Sequence, residues 1–212
     1  MSSIQNLLMI LVSVSLTLSV ANAQPAGIDW PQYRGDESGS GYSSLDQLNR
    51  DNVSELTLAW SYSLRSDAAD AREPNSQATP IMVNNVMYVP AGDRIVALDP
   101  VSGMELWRHT VIGDPPSRRG VSYWPGNDTV APRLMYTSGN FLVAINAASG
   151  AISEDFGQGG SVNLGIPYNS VPLVHEDVVI VGANTPRGAS GGIGNPRAYH
   201  ARSGAKLWEF DA

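Results

Sequence analysis

One pattern recurs three times along this chain. Ile95-Val96-Ala97-Leu98-Asp99 leads through Gly103 to Leu106-Trp107, Leu142-Val143-Ala144-Ile145-Asn146 leads to Gly150, and Ala198-Tyr199-His200 leads through Gly204 to Leu207-Trp208. In each copy an apolar strand ends on a polar side chain and a tight turn closes on glycine. Glycine supplies the positive φ that such turns demand, and a short polar side chain bonds the turn backbone. The turn glycines recur at intervals of about 50 residues, the period of four-stranded propeller blades. This predicts an all-β chain, a β-propeller with tryptophan-docking repeats.

Composition agrees with many short strands joined by turns. The 212 residues are 42% hydrophobic and include 21 Gly and 14 Pro but no Cys, so stability must come from packing rather than disulfides. A formal net charge of −7 disfavours nucleic acid as a partner. The uncharged apolar run Leu7 to Val20, followed by Ala21-Asn22-Ala23, reads as a cleaved secretory signal over residues 1–23 and an exported destination; a retained membrane anchor is the competing reading.

Residues 24–212 then form the first part of a propeller domain. An irregular lead-in around Trp30 to Ser44 precedes short helical turns near Leu45–Leu48 and Asn52–Leu56, and a lone strand Leu56–Leu64 alternates around Trp60 and Tyr62. The first blade is predicted as Thr79–Val83, Val86–Pro90, Arg94–Leu98 and Met104–Thr110. The second is Gly120–Trp124, Arg133–Thr137, Phe141–Ile145 and a weak strand near Ala151–Phe156, with Glu154 where Trp is expected. The third is Ser170–Val174, Val178–Ala183, Arg197–His200 and Lys206–Phe210, with a long Gly-rich connection Asn184–Pro196. Three blades and an orphan strand cannot close a ring, so the expectation is part of a larger propeller, with the Leu56–Leu64 strand wanting a missing partner and the edge after Phe210 left open.

The segment Arg118-Arg119-Gly120-Val121-Ser122-Tyr123-Trp124-Pro125-Gly126 resembles the pyrroloquinoline quinone (PQQ) dependent dehydrogenases, the quinoprotein alcohol and glucose dehydrogenases. Trp30-Pro31-Gln32-Tyr33-Arg34-Gly35-Asp36, Leu58-Ala59-Trp60, Gln77-Ala78-Thr79-Pro80 and the docking repeats extend the resemblance over nearly everything after residue 23. It implies three blades of eight, PQQ and Ca²⁺ on the propeller axis, and oxidation of a sugar or alcohol in the periplasm. Electrons would pass to ubiquinone or a cytochrome, and the full-length protein could associate with a membrane.

PQQ is a planar tricarboxylate, so cations and amides should surround its edge. Arg119 matches the arginine that meets a cofactor carboxylate, and its guanidinium fork suits a planar anion. Gln77 stands where several members place a cofactor-touching Glu; Asn169 and Asn184 stand at hydrogen-bonding positions that others fill with Thr and Ser. A surface ion pair for Arg119, and turn or capping roles for the two Asn, are the competing readings. Trp124 reads as blade packing.

The chain also departs from the family. Pro115-Pro116-Ser117-Arg118 replaces the Cys pair of the alcohol-oxidising branch, which tilts the reading toward the glucose type. Counting from Asn184 puts Arg187 where an early calcium-ligating Glu belongs. The resemblance places the catalytic Asp, the remaining Ca²⁺ ligands and the cofactor-stacking Trp beyond residue 212. His109, His175 and His200 lack metal-ligand spacing. A non-catalytic propeller serving as an outer-membrane assembly scaffold is the alternative function, and a carbohydrate-binding propeller is a third.

Overall fold

In the computed structural model, the described residues are 29–67, 77–184 and 194–211. They form three four-stranded antiparallel sheets, ordered β1-β2-β3-β4, β5-β6-β7-β8 and β9-β10-β11-β12. The strands are β1 Ile81–Val83, β2 Val86–Ala91, β3 Arg94–Leu98, β4 Glu105–Thr110, β5 Ser122–Trp124, β6 Arg133–Ser138, β7 Phe141–Asn146, β8 Ser161–Asn163, β9 Leu173–His175, β10 Val178–Val181, β11 Arg197–His200 and β12 Lys206–Glu209. A 3₁₀ turn spans Val53–Glu55. No helix among the described residues is long and apolar enough to cross a membrane. The signal expected at residues 1–23 and the position Arg187 lie outside the described residues.

The turns form as their residue types require. Asn84 and Asn85 both take positive φ, 51° and 60°, the two-residue geometry that matches strand twist. Asp99 Oδ1 accepts from the Val101 and Ser102 amides, and Asn146 Oδ1 accepts from those of Ala148 and Ser149. His200 takes the same place with Nδ1 accepting from the Arg202 amide. In all three, the turn glycine's amide closes on the carbonyl of that polar residue at 2.8 Å.

Central strands read as continuous apolar runs because both faces are covered. Ile95 and Ala97 of β3 pack with Leu134 and Tyr136 of β6 and Val143 and Ile145 of β7. The alternate residues Val96 and Leu98 face the lead-in, where Trp60, Tyr62 and Leu64 cover them. Met135, Leu142 and Ala144 turn the other way, toward Val179, Val181 and Tyr199 of the third sheet. Period-two alternation thus fills two interblade layers from one sheet.

The Leu56–Leu64 segment, expected as a lone strand that lacks its partner, pairs in no ladder among the described residues; its Trp60 indole bonds the Pro100 carbonyl. One expectation is corrected. The second blade's outer strand is Ser161–Asn163, not Ala151–Phe156. There only Ile152 bridges Ile145; Phe156 then dives into the core with no exposed surface. Positive φ at Gly157, Gly159 and Gly160 turns the chain before it can pair. Glu154 is exposed, and Val162, with the Gly157 backbone, covers Gly204 in place of an indole.

Candidate cofactor-binding site

In an antiparallel blade the lead-in to the first strand and the exit from the second lie at one end. Gln77 precedes β1, Arg119 precedes β5, Asn169 precedes β9 and Asn184 follows β10, so topology gathers all four at the same end of three successive blades. Hydrogen bonds tie them into a chain of neighbours. Arg119 Nε donates to Gln77 Oε1 at 3.2 Å, and the Thr79 amide donates to the Arg119 carbonyl at 3.0 Å. Ser117 Oγ donates to the Asn169 carbonyl at 2.9 Å, while the Asn184 amide donates to the Pro167 carbonyl at 2.9 Å.

Gly120 is what lets these segments meet. Its φ is +151°, and a Cβ there would stand 3.1 Å from Val171 Cγ2 and 3.3 Å from the Thr79 carbonyl. The second blade therefore threads closely between the first and third, and a side chain there would take a strained φ and push its neighbours by a few tenths of an ångström.

The donor set suits a planar polyanion. Arg119 is exposed and, among the described residues, bonds through its side chain only to the Gln77 amide and makes no ion pair. Its terminal nitrogens remain available for a bidentate carboxylate. The side-chain amides of Asn169 and Asn184 likewise carry no hydrogen bond among the described residues. A cavity of about 380 Å³ adjoins the cluster, lined by Leu64, Pro90, Pro116, Ser117, Arg118 and Asn169 among others. Close by, Asp93 is held below the usual carboxylate range by the Ser66 hydroxyl and then by Arg94, so it keeps its charge.

The remaining sequence candidates fall elsewhere. Trp124 is 1% exposed, donates through Nε1 to Asp177 Oδ1 at 3.0 Å and lies under the Arg133 guanidinium at 5.5 Å, inside the blade packing. His109 meets the Tyr136 hydroxyl at 2.9 Å and His175 meets Glu37 at 2.8 Å. No group of three metal-ligating side chains occurs among the described residues, so no Ca²⁺ ligand is assigned. Sequence reasoning missed Ser117 and Arg133. Neither carries a motif, and each donates to backbone carbonyls of the third blade, which no pattern encodes.

Fold and site together define a β-propeller of docked four-stranded blades that presents a cationic and amide cluster at one end. The family described as glucose/ethanol/alcohol dehydrogenase, beta-propeller domain (PQQ), matches residues 30–212, and this chain belongs to that family. It is 32% identical to quinoprotein glucose dehydrogenase A of Acinetobacter calcoaceticus, over 86% of this chain and 28% of that protein. It is 33% identical to the quinohemoprotein alcohol dehydrogenase of Comamonas testosteroni, over 86% of this chain and 25% of that one. The crystal structure of the latter enzyme superposes with a TM-score of 0.71 at 29% identity, covering 91% of this chain and 28% of that structure. The chain thus spans less than a third of the length of these relatives.

Proposed function

We propose that these blades hold PQQ within a periplasmic quinoprotein dehydrogenase acting on the CH–OH group of a sugar or alcohol. The observation that carries this reading is the Arg119–Gln77 contact, which brings a guanidinium with no ion pair among the described residues and an amide from two blades to one end of the propeller. Bound there, PQQ would supply a two-electron acceptor for a hydride, with ubiquinone or a cytochrome as the next carrier. Arg119 would grip a cofactor carboxylate, Gln77 would orient the guanidinium while presenting its own amide, and Asn169 and Asn184 would donate to further oxygens. Ca²⁺ enters the proposal only through the family resemblance, since the described residues offer no cluster for it.

Pro115-Pro116-Ser117-Arg118 in place of a Cys pair favours a glucose-type substrate over methanol. Titrating the protein with PQQ and following fluorescence, then assaying dye reduction with glucose and ethanol in the presence of Ca²⁺, tests the reading. Saturable binding that weakens in Arg119→Ala is expected. Failure to bind PQQ would overturn it in favour of the scaffold alternative.

A further inference from the structure

Three buried hydroxyls of the second blade donate to consecutive parts of one segment in the third. Ser117 Oγ reaches the Asn169 carbonyl at 2.9 Å, Thr137 Oγ1 reaches the Ser170 carbonyl at 3.0 Å, and Ser122 Oγ reaches the Pro172 carbonyl. Ser117, Thr137 and Ser122 are 4%, 0% and 7% exposed. The lead-in to β9 cannot pair these carbonyls within its own sheet before Leu173, so the neighbouring blade satisfies them. These bonds set the spacing between the two blades at the end that carries the site.

Ser117 differs from the other two. Its Oγ also accepts from the Arg119 amide at 3.3 Å, and its own amide donates to the Thr137 carbonyl at 2.8 Å. One hydroxyl therefore touches the backbone of both Arg119 and Asn169, from different blades. We propose that Ser117 is a positioning residue which fixes the guanidinium of Arg119 relative to the amide of Asn169, an inference that rests on the reading of those two as cofactor-binding. A polyanion gripped from two blades needs both donors at a set separation. Loss of the shared hydroxyl frees each segment separately, and binding then bears the cost of reordering them.

The test compares Ser117→Ala with Ser122→Ala, which removes an interblade hydrogen bond of the same kind but touches neither Arg119 nor Asn169. Ser117→Ala is expected to weaken PQQ binding roughly tenfold, as the loss of one buried hydrogen bond allows, whereas Ser122→Ala changes it less than about twofold. In the Arg119→Ala background, Ser117→Ala should have much less than its full effect, because one of the two donors it positions is gone. Equal weakening by the two alanine variants, or full additivity with Arg119→Ala, would overturn the proposal. Amide hydrogen exchange gives a readout that needs no cofactor. In Ser117→Ala, exchange across residues 117–120 and 167–170 should accelerate together, and in Ser122→Ala it should not. Should the unmodified protein fail to bind PQQ, the functional reading falls while exchange still decides the role of Ser117: no acceleration would refute it.

Discussion

Trp60 lies flat on Gly103. A Cβ built on that glycine would stand 2.4 Å from the indole Cδ2, and the indole N–H donates to the Pro100 carbonyl of the same turn at 3.1 Å. Trp107 covers Gly150 of the next blade in the same way, with Cε3 at 2.6 Å from the corresponding position. Trp107 of the first blade thus covers the turn of the second, and Trp60 of the lead-in covers that of the first, which makes the docking tryptophan a device between successive units.

Gly103→Ala should be strongly destabilising for two reasons. The φ of +70° costs a side chain about 1–2 kcal/mol, and the displaced indole adds an overpacking cost of about 1–3 kcal/mol. Urea unfolding followed by tryptophan fluorescence measures the sum. A loss below about 1 kcal/mol would mean that the indole is not held against the turn.

Arg119 variants separate charge from geometry. Arg119→Ala should weaken PQQ binding by roughly a hundredfold, the scale of a charge-assisted hydrogen bond. Arg119→Lys, which keeps the charge but loses the fork, should recover only part of it. Equal affinities for Lys and Arg, determined by fluorescence titration, would show that a point charge suffices.

Arg133 is 2% exposed and clamps the second blade to the third. It donates to the Ala201 and Arg202 carbonyls, pairs with Asp155, and lies over the rings of Trp124 and Phe156 at 5.5 and 5.9 Å. Arg133→Met fills much of the volume but leaves two carbonyls without their donor, so a loss of about 2–4 kcal/mol is expected. Thermal unfolding checks it, and an unchanged midpoint would show that the cation holds nothing together.

His109 predicts a pH dependence of stability. Burial holds its imidazole below the ordinary histidine range, against a smaller opposing effect from a hydrogen bond with the Gly150 backbone. The unfolded chain therefore binds a proton more readily than the folded one. Stability from this group is complete above the unfolded pKa of about 6.5 and declines as pH falls from there through the folded value. Between pH 7.5 and 5.5 the urea midpoint should drop more in the unmodified protein than in His109→Gln. Identical drops would show that His109 does not carry the effect.

The lead-in and the second blade mark how far local pattern reaches. Asp99, Asn146 and the turn glycines carry their own conformational instructions, so eleven of the twelve strands among the described residues sit close to where the pattern puts them, and of the residues the resemblance singled out, Arg119 and Gln77 are hydrogen-bonded to each other. The misplaced outer strand had a local cause that looked ambiguous in one dimension. Ala151–Phe156 has strand-like residues, but Phe156 goes to the core and the glycines after it bend the chain. For the Leu56–Leu64 segment, alternation identified the half-buried aromatic face of Trp60 and Tyr62, and no ladder forms there among the described residues. Alternation reports which side is covered, whereas ladder pairing depends on a neighbour.

By itself, then, the sequence determined the repeating unit, its turns and its two-faced apolar strands, because φ preferences, short side-chain caps and period-two burial act over a few residues. Tertiary structure alone decided which glycine each tryptophan covers, that Gln77 bonds Arg119, and that the Ser117 hydroxyl joins Arg119 to Asn169. Those contacts join residues on different blades, and most of them end on backbone carbonyls or on the bare face of a glycine, which are chemically the same at every position until folding brings one of them near.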